Sequence, residues 1–313
     1  MTRALVFPGQ GSQAVGMGRA LAEAFSPARD VFEEIDEALR QSLSRVIFEG
    51  PEDTLTLTEN AQPALMAVSL AVMRVLEREG GLDLARHVDC VAGHSLGEYS
   101  ALAAARALSL ADTARLLKHR GQAMQRAVPV GEGAMAALLG LELDAARSVV
   151  EEAAEGEVCA VANDNGASQV VVSGHKAAVE RAAALAASRG AKRAIMLPVS
   201  APFHCPLMAP AARSMEEALA EVDLREPLVP LVANVTATSV SAPKEIKRLL
   251  IEQVTGLVRW RESVLAMKAR GVHEMVEVGA GRVLSGLGRR IDREIATQAV
   301  GTPAEIEAFV KTL

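Results

Sequence analysis

Two stretches of this 313-residue chain pair a reactive side chain with surroundings able to activate it. In the first, a short apolar run (Val88, Cys90, Val91, Ala92) meets Gly93-His94-Ser95-Leu96-Gly97, and an Ala/Leu-rich helical pattern follows from Glu98 to about Leu108. Gly-x-Ser-x-Gly between a strand and a helix is the context of a nucleophile elbow. Such a turn is too tight for side chains at Gly93 and Gly97, and it forces the serine into a strained conformation that pushes Oγ outward. The helix behind it points its N-terminus at any anion formed there. An ordinary strand-to-helix turn would read the same way, so a nucleophilic Ser95 needs a base, an oxyanion hole and a source of specificity elsewhere in the chain.

The second stretch is Val199-Ser200-Ala201-Pro202-Phe203-His204-Cys205-Pro206, a proline-bracketed loop downstream of the serine. A histidine in such a loop is where an elbow enzyme keeps its general base. Of the six histidines, His87, His119, His175 and His273 sit in polar surroundings that suit a surface, and His94 would point away from its neighbour Ser95. That leaves His204 as the candidate base, with a merely packed histidine as the alternative. Cys205 beside it raises a thiol nucleophile as a further option, although adjacent side chains rarely face each other productively. Near the N-terminus, Gly9-Gln10-Gly11-Ser12-Gln13 follows a strand pattern. Its spacing fits neither a dinucleotide fingerprint nor a phosphate-binding loop with its lysine. A loop giving backbone N–H groups to an oxyanion beside Ser95 fits better, and a plain turn remains open. A third glycine-rich turn, Gly279-Ala280-Gly281, suits packing or a phosphate equally well.

The elements that must position these groups follow from periodicity. Residues 3–7 read as a buried strand cut off by Pro8. Helices are expected over about 16–24, 28–41, 63–78 and 111–127, with short turns over 48–57. The 111–127 helix carries Arg115, Lys118, His119, Arg120 and Arg126, for which a solvated face is the default reading. From Gly133 the order becomes strand, helix, strand, strand, helix, strand (134–141, 144–155, 158–162, 169–173, 176–190, 194–199), the βαββαβ ferredoxin-like pattern. We therefore expect an α/β fold with two parts. A large, discontinuous α/β-hydrolase-like domain (1–128 and 200–313) has a parallel sheet and the elbow. A small inserted domain spans 129–199. After it come a strand over 228–233, helices over 245–253 and 261–270, a strand over 273–278 and a helix over 283–291.

Composition narrows the classes. Half the residues are hydrophobic, enough for a sizeable core, and the net charge of −6 gives no general attraction to nucleic acid or an anionic membrane. Pro8 and Gly9 interrupt the N-terminal apolar run too early for a signal peptide, and residues 61–73 are too short to span a membrane. The three cysteines lack metal or disulfide spacing. A cytoplasmic protein without a metal site is expected.

Taken together, these residues resemble the malonyl-CoA:acyl-carrier-protein transacylases and the related acyltransferase domains of polyketide synthases. The resemblance rests on Phe7-Pro8-Gly9-Gln10-Gly11-Ser12-Gln13, Gln62-Pro63-Ala64, Gly93-His94-Ser95-Leu96-Gly97-Glu98, and Arg120-Gly121 with Met124-Gln125. It continues through Phe203-His204-Cys205-x-Leu207-Met208, Gln253 seven residues before Trp260, and Glu277-Val278-Gly279-x-Gly281-x-Val283-Leu284. The ordered set covers nearly the whole chain.

The resemblance implies Ser95 as the nucleophile that takes the malonyl group, His204 as its base, and a carbonyl at Gln253 as the histidine's orienter in place of a carboxylate. It implies backbone N–H groups of Gln10 and Leu96 as the oxyanion hole, and Arg120 as the partner of malonate's free carboxylate, with Gln62 and Phe203 at the substrate. Phe203 departs from the small residue common in stand-alone bacterial members and resembles malonyl-selective domains. Shape alone would separate one methyl by only ~1–3 kcal/mol. The implied partners are malonyl-CoA and an acidic acyl carrier protein, met by Arg189, Lys192 and Arg193 or by Arg282, Arg289 and Arg290. No cofactor and a monomer are expected. A serine esterase or thioesterase, a trans-acting polyketide acyltransferase and a non-catalytic carrier-binding module are the rival readings.

Overall fold

The computed structural model describes residues 2–313. The chain forms two sheets. The larger has six strands: β1 (Arg3–Phe7), β2 (Cys90–Gly93), β7 (Leu231–Val232), β8 (Ser239–Val240), β9 (Glu274–Val278) and β10 (Ala296–Val300). Their order across the sheet is β10-β9-β1-β2-β7-β8, parallel except for β8, which folds back on β7. The smaller sheet is antiparallel, in the order β4 (Cys159–Asp164), β5 (Gln169–His175), β3 (Gly133–Leu139), β6 (Arg193–Met196). Helices Leu143–Ala154 and Lys176–Ser188 complete its strand–helix–strand–strand–helix–strand order.

Strand β1 is apolar at nearly every position because both faces of a parallel sheet are covered. Its alternate residues enter different cores. Leu5 and Phe7, with Val91, Leu231 and Val276, pack beneath the long Thr58–Arg78 helix and its neighbours. Ala4 and Val6, with Cys90, Ala92 and Val232, pack against Trp260, Val264 and Leu287 on the opposite face. The small sheet carries its own core around Leu138, Val149, Val172 and Val179. The two parts are tied where Val258 pairs with Asn163, near the end of the small sheet's edge strand β4, reinforced by an Arg261–Asp164 ion pair at 2.9 Å.

Several elements differ from expectation. The helix expected from Pro63 begins at Thr58, with the proline inside it, and the "turns" over 48–57 belong to short helices Leu43–Glu49 and Glu52–Thr56. The first helix starts at Arg19 rather than 16, because Gly16 and Gly18 both take left-handed φ. Strand β7 is only Leu231–Val232: Pro230 has no N–H to give, although its carbonyl accepts from Val91. Strand β10 and the Pro303–Val310 helix lie beyond the elements read from the sequence.

Candidate active site

Strands β1, β2 and β7 end side by side, and at the carboxyl end of a parallel sheet that is where a ligand crevice forms. Between β2 and the Gly97–Ala104 helix, Ser95 adopts φ 54°. The turn tolerates only glycine at its two ends. A methyl on Gly93 would sit 1.9 Å from the Gly97 carbonyl, and one on Gly97 would sit 2.2 Å from the Phe7 carbonyl oxygen. The pattern that marked the stretch in the sequence is therefore imposed by backbone contact, within the turn itself at Gly93 and with β1 at Gly97.

His204 reaches this serine across 109 residues of chain. Its Nε2 lies 2.7 Å from Ser95 Oγ, and its Nδ1 lies 2.8 Å from the main-chain carbonyl of Gln253. A carbonyl only accepts, so Nδ1 carries the proton and Nε2 presents its lone pair to the hydroxyl. The ring is buried, and burial, helped by the nearby Arg120 charge, pushes its pKa down to about 3. The neutral tautomer suited to taking a proton is thus the resting form. His204, like Ser95, holds a left-handed φ, 58°. The other histidines stay outside this pair: His94 turns away, its Nε2 2.9 Å from Asn165 Oδ1, and half-buried His119 bonds to Ser214.

Arg120 departs from the solvated-face reading of its helix. Only 1% exposed, it turns inward from the Leu110–Ala127 helix. Nη1 donates to Gln62 Oε1 at 2.7 Å, while Nη2 donates to Gln253 Oε1 at 2.8 Å and to Ser95 Oγ at 3.1 Å. Its Nε finds no acceptor among the described residues. Gly121, next in sequence, lets this helix close on the Thr58–Arg78 helix: a methyl there would lie 2.4 Å from the Glu59 Cα. The Arg-Gly pair therefore combines a buried cation with the close approach that seals it in.

The elbow's N–H groups sort themselves. That of Ser95 donates to Asn234 Oδ1, that of Gly97 to the His94 carbonyl and that of Glu98 to the Ser95 carbonyl. Among the described residues the Leu96 N–H has no such acceptor, nor has that of Gln10 in the facing loop, whose side chain is held by Thr58. Both residues line the same cavity as Ser95, and unpaired N–H groups of this kind are the donors an oxyanion would need.

A cavity of about 280 Å³ opens over Ser95. Gln10, Leu96, Arg120, Gln62 and Phe203 line it from the large sheet's side, and Met135, Asn163 and the 197–199 segment close it from the small sheet. All eight sequence-nominated positions gather here. Gln62, Leu96, Ser95, His204, Arg120, Phe203 and Gln10 border the cavity, and Gln253 lies just behind it, bonded to Arg120 and His204.

Two residues had gone unassigned. Asn234 follows β7; its Oδ1 accepts from Ser95 and its Nδ2 donates to the Gly93 carbonyl at 2.7 Å, bracing both sides of the elbow. Its signal was its place at the end of a parallel strand beside β2. Glu98 was quoted within the elbow motif but given no role, and its carboxylate is buried among Gln253 and Asn234.

Two expectations lose support. Cys205 Sγ donates to the Pro202 carbonyl, and burial raises its thiol pKa, so it offers no thiolate to the cavity. The Gly279-Ala280-Gly281 turn leads into a helix whose first N–H groups are already held by the Glu277 carboxylate (Leu284 at 3.0 Å, Ser285 at 2.7 Å), which leaves them unavailable to a phosphate.

Residues 4–299 match a family model described as the acyl transferase domain. The malonyl CoA-acyl carrier protein transacylase of Bacillus subtilis (strain 168) is 46% identical over 311 residues, 99% of this chain and 96% of that protein. The transacylase of Escherichia coli (strain K12) is 44% identical over 308 residues, covering 98% of each. Among solved structures, an acyl-carrier-protein-S-malonyltransferase from Bartonella henselae superposes with a TM-score of 0.98 at 56% identity, covering 100% of this chain and 99% of that one. A malonyl-transacylase in complex with its type II PKS acyl-carrier protein superposes with a TM-score of 0.97 at 39% identity, covering 100% of both chains.

Proposed function

Since the chain belongs to the acyl transferase family, matched over nearly its full length by malonyl CoA-acyl carrier protein transacylases, we propose that it moves malonyl from malonyl-CoA to the phosphopantetheine thiol of an acyl carrier protein. The observation that carries this reading is the buried Arg120 guanidinium, 3.1 Å from the Oγ of a serine that His204 can deprotonate. An esterase for neutral esters would gain nothing from a cation buried at that point. An acyl group ending in a carboxylate would, because a planar guanidinium matches a carboxylate with two parallel hydrogen bonds.

The reaction proceeds in two halves through a malonyl-serine. Ser95 Oγ attacks the thioester carbonyl as His204 Nε2 takes its proton, and the oxyanion is received by the Gln10 and Leu96 N–H groups. Collapse breaks the C–S bond, and the imidazolium returns the proton to the departing CoA thiolate. The carrier's thiol then enters, loses its proton to His204 and attacks the ester carbonyl. Ser95 leaves and recovers that proton. A main-chain carbonyl orients His204 throughout; it fixes the tautomer but stabilises the imidazolium less than a carboxylate would. Exchange of one thioester for another is nearly isoenergetic, so the transfer is reversible. The activated bond arrives with the substrate, and this sequence of steps draws on no cofactor. Phe203, buried at the cavity wall, supports preference for the unbranched malonyl group.

In this reading residues 129–199 form a small ferredoxin-like domain set into an α/β-hydrolase-like one, and the chain works as a cytoplasmic monomer. Among the described residues no helix is long and apolar enough to cross a membrane. For the acidic carrier, Arg189 and Arg282 are already paired with Glu152 and Glu305. Lys192, Arg193, Arg289 and Arg290 are exposed and carry no ion pair among the described residues, which favours them as its docking charges. The test is transfer itself: with malonyl-CoA and a holo carrier, malonyl should appear on the carrier thiol and free CoA should form in equal amount. Release of free malonate instead would favour the thioesterase.

A further inference from the structure

Beneath the elbow lies a polar cluster of which the proposed steps use only the Arg120 guanidinium and the Gln253 main-chain carbonyl. The Gln253 carboxamide stands between Glu98 and Arg120. Its Nε2 donates to Glu98 Oε2 at 2.7 Å and to the Ser95 carbonyl at 2.9 Å, and its Oε1 accepts from Arg120 Nη2 at 2.8 Å. An ionised carboxylate only accepts and a guanidinium only donates, so the amide between them can point one way alone. Glu98 is 1% exposed, also accepts from the Asn234 N–H at 3.3 Å, and keeps Oε1 without a partner among the described residues. Burying a carboxylate with an oxygen unpaired is costly, and packing alone does not call for one there.

We propose that Glu98 is a positioning residue for malonyl selectivity: its carboxylate fixes the sense of the Gln253 carboxamide, which in turn holds Arg120 Nη2 aimed at the acyl site on Ser95. This inference rests on the malonyl-transfer reading above. Glu98 touches no reacting atom. It acts through one side chain on a second, and the second meets the carboxylate that distinguishes malonyl from acetyl. With an amide at position 98, either sense of the Gln253 carboxamide finds a partner there, and only Arg120 and the Ser95 carbonyl are left to enforce the correct one.

The charged and titratable groups facing Glu98 are Arg120, from the neighbouring helix, and Tyr99, on its own. Arg120 stays charged, and burial raises Tyr99 to about 12. His204, on the far side of Gln253, titrates near 3. Burial raises Glu98 to about 7, so it is the member of this cluster that changes charge near neutrality. The ionised form, which enforces the lock, prevails above that value.

The experiment measures kcat/KM for Ser95 acylation by malonyl-CoA and by acetyl-CoA, read as intact mass against time, for wild type and Glu98→Gln from pH 6 to 8. At pH 8 the malonyl-to-acetyl ratio of Glu98→Gln should fall about tenfold, the scale of one hydrogen bond to a charged group. In the wild type the same ratio should decline as the pH drops through about 7, whereas the variant's should be flat. An unchanged ratio in the variant, an equal loss on both substrates, or a flat wild-type profile would overturn the proposal. The wild-type profile keeps the test decisive even if the variant folds poorly. Wild type that takes no malonyl at all would instead defeat the reading on which the inference rests.

Discussion

Ser95 Oγ and His204 Nε2 stand 2.7 Å apart, and both residues are held at left-handed φ, 54° and 58°. Non-glycine residues rarely occupy that region, and the cost is borne where surrounding contacts over-determine the backbone. Here those contacts are visible: Asn234 clamps the elbow on both sides, and the Gln253 carbonyl fixes the imidazole.

The low pKa of His204 makes a prediction about pH. An imidazole that titrates near 3 is neutral, and so able to act as a base, at every pH above about 4. Phosphonylation of Ser95 by a neutral fluorophosphonate, in which Oγ bonds to phosphorus and fluoride leaves, followed by stopped flow, should therefore show no limb near the ordinary histidine value of about 6.5. A rate that rises with an apparent pKa close to 6.5 would show an imidazole less buried than this one.

Asn234→Ala should weaken the protein and slow acylation together. The substitution orphans the Ser95 N–H and the Gly93 carbonyl, and an unsatisfied buried polar group costs about 1–3 kcal/mol. Urea unfolding should record a loss of that size, and Ser95 acylation should slow with it as the elbow loses its brace. Loss of stability with an undiminished acylation rate would confine Asn234 to folding.

Gly97→Ala should be worse. The added methyl meets the Phe7 carbonyl oxygen at 2.2 Å, a contact with main chain that cannot swing aside. Overpacking typically costs 1–3 kcal/mol, occasionally more, and a main-chain clash belongs at the upper end, at least ~3 kcal/mol. Denaturant unfolding with an unchanged m-value would measure it.

Arg120→Lys keeps the charge and loses the fork. Lysine's donors converge on a single nitrogen and cannot replace the two nitrogens that meet Gln62 and Gln253 while offering a carboxylate two parallel bonds, so kcat/KM for malonyl-CoA should fall by about 1.5–3 kcal/mol, tenfold or more. Acetyl-CoA should become a better competitor in the same assay. Retained malonyl preference in both Arg120→Lys and Arg120→Ala would remove the guanidinium from substrate recognition.

Much of this was legible in the chain because the chemistry leaves local marks. Backbone contact demands glycine at 93 and 97, and the alternation of Ala4, Leu5, Val6 and Phe7 between two cores reads as one continuous apolar run. What could not be read locally depends on partners far away in sequence. Arg120 looks like any basic residue on an amphipathic helix until Gln62 and Gln253, 58 and 133 residues distant, turn it inward. Asn234 lies in the turn after a two-residue strand that has almost no periodicity to reveal it. Glu98 was visible as a letter of the elbow motif, but the amide it polarises arrives 155 residues later.

In the proposed transfer Ser95 carries the malonyl group between the two thiols. The most direct test is the intact mass of the protein after brief mixing with malonyl-CoA, before and after a holo carrier protein is added. One malonyl adduct is expected on wild type, located at Ser95 by fragmentation, discharged by the carrier and missing from Ser95→Ala. A malonyl adduct that persists in Ser95→Ala, or a wild-type protein that transfers malonyl with no adduct at Ser95, would contradict it.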